Sequence, residues 1–134
     1  MKKLDNFTNC LIVLKNADFE FANHSDIYRT GIIGQFNLTF ELAWKAMQSV
    51  LRLHGVEGAQ TGSPRECIQL AYKTGFIDDM AAWLLILKKR NTSVHIYDEE
   101  AVDEMLLLIR DSFIPAFVKL DETLRMKVDG MEEI

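Results

Sequence analysis

The sequence contains few of the residues that interrupt or cross-link a polypeptide chain. Its 134 residues include two prolines, seven glycines and two cysteines. Cys10 and Cys67 are far apart and belong to no CxxC pair or Cys/His cluster, so a zinc site is not expected. Two isolated cysteines suit a reducing compartment. The scarcity of proline and glycine favours long helices over a structure rich in turns.

The chain also lacks long apolar segments and an excess of positive charge. No stretch approaches the roughly 20 apolar residues of a membrane span, and the apolar run at 11–14 is too short for the core of a signal peptide. We therefore expect a cytoplasmic protein with no membrane partner. The formal charge of -5 disfavours general nucleic-acid binding and a DNA partner, because such binding depends on neutralising phosphates. A small local basic site is compatible with this charge.

The spacing of apolar residues predicts an all-α protein, an antiparallel bundle of about five helices. Steps of three and four residues predict helices at about 3–23, 26–54, 64–75, 77–90 and 98–124. No segment shows the sustained alternation of a strand. The length predicts one domain over 1–134. We expect Pro115 to bend the last helix and the tail after about Lys127 to fray.

The second predicted helix is apolar on more than one side. Phe36, Phe40 and Trp44 form one stripe, which we interpret as core or dimer interface. A helix of this kind is buried on more than one side, and in so small a protein another subunit is one source of the second contact. Gly31 and Gly34 near its start indicate a kink or a close helix crossing.

Glu41 lies inside this apolar helix, where a carboxylate is costly unless it is paired. Lys45 follows four residues later on the same helix face and is the favoured partner. Arg90, approaching from across the bundle, is the alternative partner.

The most unusual segment runs from Lys88 to Tyr97. Three cations close the fourth helix, and five residues of low helix propensity follow. If the helix loosens after Asn91, the side chains of Arg90, Asn91, His95 and Tyr97 can converge, and two copies across a dimer axis would form one composite polar site. The ordinary alternative is a helix exit, where cations favour the negative end of the helix dipole.

The spacing of three residues in this segment resembles a known motif. Arg90 is followed after four residues by His95, and His95 after one residue by Tyr97, as in the Arg-x4-His-x-Tyr motif of HepT-type toxins in the HEPN superfamily. Two further blocks, at 36–45 and 63–66, precede this motif in the chain. The three segments, taken in this order, resemble the nucleotidyltransferase substrate-binding branch of that superfamily. The resemblance implies a HEPN-type helical bundle that forms a homodimer, with both Arg/His pairs in a shared groove.

Proteins of this kind are similar to metal-independent endoribonucleases encoded beside a small nucleotidyltransferase in toxin–antitoxin-like pairs. The resemblance implies that Arg90 and His95 are catalytic. The physical chemistry agrees, because imidazole titrates near neutrality and a guanidinium binds phosphate oxygens through two hydrogen bonds. No metal and no cofactor are expected.

The resemblance adds Asn91 and Tyr97 to the site, and the residues around the motif and Glu41 complete the set. Asn91, Lys89 and Ser93 would contact phosphate or RNA, and Glu41 would support Arg90 without touching the substrate. Tyr97 would accept AMP from the nucleotidyltransferase, a modification (AMPylation) that silences the toxin.

Three functions stay open at this point. The first is a ribonuclease toxin that acts on RNA as a homodimer and is regulated by a nucleotidyltransferase encoded nearby. The second is a non-catalytic subunit that binds the nucleotidyltransferase and presents Tyr97 or a ligand to it. The acidic residues at 98–100 and 103–104 would repel an RNA backbone and favour a local or non-catalytic role. The third is a helical dimer with no activity at the motif.

Overall fold

The computed structural model describes residues 1–93 and 98–132, apart from the side chain of Glu132, and it confirms the predicted all-α class. The helices are α1 Lys2–Lys15, α2 Asp26–Leu53, α3 Pro64–Lys73, α4 Met80–Thr92, α5 Glu99–Leu108 and α6 Ile114–Glu132. A π-helical turn at Ile109–Phe113 joins α5 to α6 in continuous helical conformation, so the described chain forms five helical rods. None of these helices combines the length and the apolarity that crossing a membrane would require.

The long helix α2 lies at the centre of the bundle and contacts each of the other helices. Its buried residues face several directions, as a helix surrounded by partners requires. The burial on a second side, for which we considered another subunit, is therefore supplied by helices of the same chain. α2 also runs without interruption through Gly31 and Gly34, where a Cβ atom would meet no other described residue within 4 Å. The glycines thus mark neither a kink nor a close crossing inside this chain.

An aromatic cluster around Phe117 of α6 joins four helices. The ring centroid of Phe117 lies 6.2 Å from that of Phe7, 6.0 Å from that of Phe36 and 5.6 Å from that of Trp83. Phe36 also stacks on Phe113 at 5.3 Å. Contacts of this geometry stabilise a core beyond the area that they bury. Of the two interpretations given for Phe36, core or dimer interface, the structure supports the core, and Trp83 is buried there with it.

The predicted helix at 64–75 is confirmed as α3, and residues typical of helix ends stand on both sides of it. Ser63 is the N-cap, and its hydroxyl accepts a hydrogen bond from the backbone N–H of Glu66 at 3.2 Å, with Pro64 in the first helical position. Gly75 follows the helix with a φ of 83°, a left-handed conformation that glycine adopts without steric cost.

α1 ends at Lys15 and does not reach residue 23 as predicted. Beyond it, the carboxylate of Asp18 accepts hydrogen bonds from the backbone N–H groups of Glu20 and Phe21, at 3.1 and 2.9 Å. Such a turn competes with the helix for the backbone. A short 3-10 helix at Phe21–His24 follows. The spacing of Phe21 continues the apolar pattern of the first predicted helix, but the residue is half exposed and packs on Tyr28 instead.

The last helix extends further than predicted. α6 continues to Glu132, and Val128 is buried against the core, so fraying after Lys127 is wrong for the described residues. Near Pro115 the irregularity is the π-helical turn directly before the proline. Proline has no N–H for the carbonyl four residues earlier, and a wider turn at this point accommodates that loss.

Candidate functional site

Arg90 lies in the last turn of α4 and faces an open depression of about 360 Å³ at the contact between α4 and α2. The depression is lined by Asn37, Leu38, Glu41, Arg90 and Asn91. Three predicted site residues, Arg90, Asn91 and Glu41, therefore share one cleft. They come from helix segments 49 residues apart in sequence, which only the fold brings together.

The Arg90 guanidinium is held from three directions. It donates a hydrogen bond to Oε1 of Glu41 and forms an ion pair with that carboxylate. It also donates to Oδ1 of Asn91 at 3.2 Å, and its Cζ lies 6.0 Å from the centroid of the Phe40 ring. The side chain of Arg90 is 34% exposed. Its contacts with the described residues therefore fix its direction, while the exposed part of the side chain can be reached by an anion from solvent.

Glu41 is bound by more partners than the sequence indicated. Its Oε2 accepts a hydrogen bond from Nε1 of Trp44 at 3.3 Å and lies 3.9 Å from Nζ of Lys45. Lys45 was the favoured partner, but the structure makes Arg90 the closer one and leaves Lys45 at the outer limit of an ion pair. The four-residue spacing favoured Lys45 because spacing in the sequence indicates only the neighbours that lie on the same helix.

Ser93 is buried beneath the cleft. The prediction that it contacts phosphate is therefore not supported by its position. Its hydroxyl lies 3.0 Å from Oδ1 of Asn37 and 2.9 Å from the backbone oxygen of Arg90, to which it donates. It therefore ties the end of α4 to α2. Asn37 was not among the predicted site residues, although it lies four residues before Glu41 and thus on the same helix face.

The other predicted residues are less informative. His95 and Tyr97 lie outside the described residues, so their predicted roles rest on the sequence. Lys89 is half-buried and lines neither the Arg90 depression nor its neighbour on the α3 side of α4.

The chain is also fastened to α2 after residue 97. The guanidinium of Arg29 on α2 donates to Asp103 and to the backbone oxygen of Glu99, and its Nη1 lies 3.5 Å from the Glu99 carboxylate. Asp98 caps α5 by accepting the backbone N–H of Glu100 at 3.2 Å. α2 therefore holds both flanks of the motif segment, through Asn37 and Glu41 before it and through Arg29 after it.

A larger depression, of about 600 Å³, lies at the other end of α4 against α6. Its polar rim includes Asp78 and Lys119, and the hydrogen bond from Lys119 lowers the pKa of the Asp78 carboxyl. None of the predicted site residues lines it. Size alone therefore does not make it the candidate site.

The arrangement around Arg90 suits an anionic ligand. An oriented guanidinium with an amide beside it can bind the oxygens of a phosphate. Among residues 1–93 and 98–132, no three His, Cys, Asp or Glu side chains are grouped as a metal site requires.

Comparison with known proteins identifies the family of this chain. Residues 2–126 match the model of a family described as nucleotidyltransferase substrate binding protein like. A Haemophilus influenzae protein named "Probable ribonuclease HepT" is 26% identical over 99 residues, which are 72% of this chain and 68% of that protein.

Two solved structures have a similar fold. One is a Haemophilus influenzae protein described as revealing the fold of a substrate binding domain of a nucleotidyltransferase; it has a TM-score of 0.77 and 22% identity, over 91% of this chain and 98% of the other. The second is a Thermus thermophilus protein with a TM-score of 0.70 and 27% identity, over 90% of this chain and 97% of the other. The first of these likenesses concerns the fold alone.

Proposed function

The chain belongs to the nucleotidyltransferase substrate binding protein like family, and from this premise we propose that it is the HEPN toxin-like component of a two-component system, a metal-independent endoribonuclease regulated by a partner nucleotidyltransferase. The observation that carries the proposal is the half-exposed guanidinium of Arg90, oriented by Glu41 and Asn91 in an open cleft. The name of the Haemophilus influenzae relative supports the reaction class.

In this mechanism the 2′-oxygen of a ribose attacks the adjacent phosphorus and the 5′-oxygen leaves, which gives a cyclic phosphate and a 5′-hydroxyl. His95 takes the proton of the 2′-hydroxyl, and a histidine in acid form returns a proton to the leaving oxygen. Arg90 stabilises the negative charge that develops on the phosphorane. Glu41 positions Arg90 and does not contact the substrate.

A homodimer would supply the two Arg90/His95 sets that such a mechanism uses. An open stripe on α2, formed by Gly31, Gly34 and Leu38, runs into the Arg90 cleft and supports this proposal. Leu38 is 51% exposed, and both glycines face free space. A second copy packed on this stripe would cover Leu38 and place the two clefts side by side.

The dimer is tested by Leu38→Glu, which we expect to give a monomer in light scattering because it places a charge in the contact. Ile12→Glu, a substitution of a similarly exposed apolar residue on α1, is the matched control and should leave the mass unchanged. A monomeric wild type excludes the dimer. If wild type is a dimer and Leu38→Glu keeps its mass, the dimer contact does not lie on this stripe.

The ribonuclease activity is tested with purified protein and a mixed-sequence RNA in the presence of a chelator. We expect cleavage, and we expect His95→Ala and Arg90→Ala each to lower the rate at least about a hundredfold. Lys73→Ala, which removes an exposed cation at the other end of α3, should cleave like wild type. A wild-type protein that leaves RNA intact would exclude the activity.

The ion pair between Arg90 and Glu41 favours a second function. A carboxylate that already binds the guanidinium competes with a phosphate, which suits a non-catalytic subunit that presents Tyr97 to the nucleotidyltransferase. Intact mass after incubation with the partner, ATP and magnesium should then increase by one or more AMP groups. Tyr97→Phe should not gain this mass; equal modification of this variant would remove the tyrosine from the account.

A further inference from the structure

A second depression adjoins the Arg90 cleft, on the side of α4 that faces α3. It has a volume of about 460 Å³ and is lined by Arg65, Leu84, Leu85, Leu87, Lys88, Asn91 and Thr92. Asn91 lines both depressions, so that one side chain separates them. Lys88 and Arg90 are two residues apart, about 200° around the helix axis, and so lie on opposite sides of α4. Asn91 stands between them.

The cations of this second depression are available. Arg65 and Lys88 are exposed, and neither has a carboxylate oxygen within 4.0 Å among the described residues. The neighbour of Arg65 in sequence, Glu66, has its carboxylate at 3.3 Å from the hydroxyl of Ser63, within the cap of α3. Arg90, by contrast, is paired with Glu41. Arg65 and Lys88 therefore place unpaired positive charge near the motif, on the α3 side of α4.

The floor of the depression is apolar. Leu84 and Leu87 line the depression; Leu87 belongs to the buried core, and Leu84 is partly buried against it. A surface that combines cations at the rim with an apolar floor suits a nucleotide, whose phosphate is anionic and whose base presents a flat apolar face. An inorganic anion would use the rim alone.

We propose that Arg65 and Lys88 form a second phosphate-binding subsite for single-stranded RNA, which holds the nucleotide next to the linkage bound at Arg90. The proposal rests on the ribonuclease function proposed above and adds the substrate's path: the strand crosses the end of α4 over Asn91. It also explains how an acidic protein binds RNA, because the phosphate contacts are confined to the two sides of one helix end.

The subsite is tested by fluorescence anisotropy with a short, labelled 2′-O-methyl RNA, which lacks the attacking hydroxyl and stays intact. We expect Arg65→Gln combined with Lys88→Gln to raise Kd about tenfold or more, and to reduce the salt slope by about 0.7 for each lost phosphate contact. Lys73→Gln, a cation of the same helix α3 outside the depression, should bind like wild type. Circular dichroism of each variant checks the fold, and Arg65→Lys should retain most of the affinity.

Cleavage assays separate this inference from the proposed function. The double variant should raise KM for a long RNA while leaving kcat/KM for a dinucleotide, whose one phosphate sits at Arg90, unchanged. If wild type binds RNA through Arg65 and Lys88 but cleaves none, the subsite stands and the ribonuclease fails. Equal RNA affinity of wild type and double variant overturns the subsite, as does a double variant that loses only the nucleotidyltransferase partner.

Discussion

Arg29 and Arg90 both bind carboxylates across contacts made by α2, but the two guanidinium groups differ in burial. The Arg29 side chain is 10% exposed, and its partners Glu99 and Asp103 lie on the surface above it. The Arg90 side chain is 34% exposed, and its partner Glu41 is 28% exposed. The same chemical pair is thus present once under the surface and once in an open cleft.

This difference separates support from recognition. A buried guanidinium that loses its carboxylates keeps the cost of desolvation, so the Arg29 cluster must stay closed to keep the chain folded. A half-exposed guanidinium can exchange a carboxylate for a phosphate, because water screens both states. Arg29 therefore fits a structural role at the start of α5, and Arg90 fits a binding role at the end of α4.

The largest effect on stability is expected when Arg29 loses the carboxylates with which it is paired. Asp103→Asn with Glu99→Gln leaves Arg29 buried without a counter-charge, and we expect the free energy of unfolding to fall by about 2–3 kcal/mol. Arg29→Met removes the charge itself and keeps an apolar stem, so its loss should be less than half as large. Urea denaturation followed by circular dichroism measures both. A larger loss for Arg29→Met would contradict a desolvated cation.

The next effect concerns the hydrogen bond that fastens the end of α4 to α2. Ser93→Ala removes the hydroxyl that links Asn37 to the backbone oxygen of Arg90. We expect a loss of about 1 kcal/mol, the usual contribution of a buried hydrogen bond. Thr92→Ala is the matched control, since within the described part of the chain the exposed hydroxyl of Thr92 bonds only to its own helix, and its change should be smaller. Equal losses would mean that Ser93 supports the helix alone.

The sequence predicted those parts of the molecule that depend on local signals. The bounds of α2 follow from its apolar stripes, and the start of α3 follows from Ser63 and Pro64. The end of α1 was missed because Phe21 continued the apolar pattern while Asp18 supplied a competing turn.

The site was predicted less completely, and for a different reason. Arg90, Asn91 and Glu41 were predicted and do share a cleft. The partner of Glu41, the burial of Ser93 and the role of Arg29 depend on contacts between helices far apart in sequence. Periodicity along one helix reports which face is buried, but it does not report which side chain lies opposite.

A smaller effect on stability is expected where the cleft pair is broken. Glu41→Gln keeps the hydrogen-bonding shape but removes the charge, and we expect a loss of about 0.5 kcal/mol because both side chains reach solvent. Affinity for the 2′-O-methyl RNA should rise, since the carboxylate no longer competes for Arg90. Lys45→Gln controls for the more distant contact with Glu41 and should change neither quantity. A loss of stability comparable to that of the Arg29 cluster would remove the distinction between the two pairs.

The smallest effect is expected at a third pair, Arg110 and Asp111, which has good geometry and lies on the surface with both side chains more than half exposed. Nε and Nη2 of Arg110 donate to the two Asp111 oxygens at 2.7 and 3.0 Å. This hydrogen bonding by Arg110 lowers the pKa of the Asp111 carboxyl below its ordinary value of 3.8. A carboxyl group whose pKa is lower in the folded protein stabilises the fold at pH values above its pKa in the unfolded chain. This contribution is lost as the pH falls through its pKa in the folded protein. Asp111→Asn should nevertheless leave the Tm unchanged at pH 7, because water screens the pair. Any difference in Tm found at pH 7 must persist to pH 5 and disappear below the lowered pKa. If it does not, its source is not this carboxylate, and burial, rather than pairing, remains what distinguishes Arg29 from Arg90.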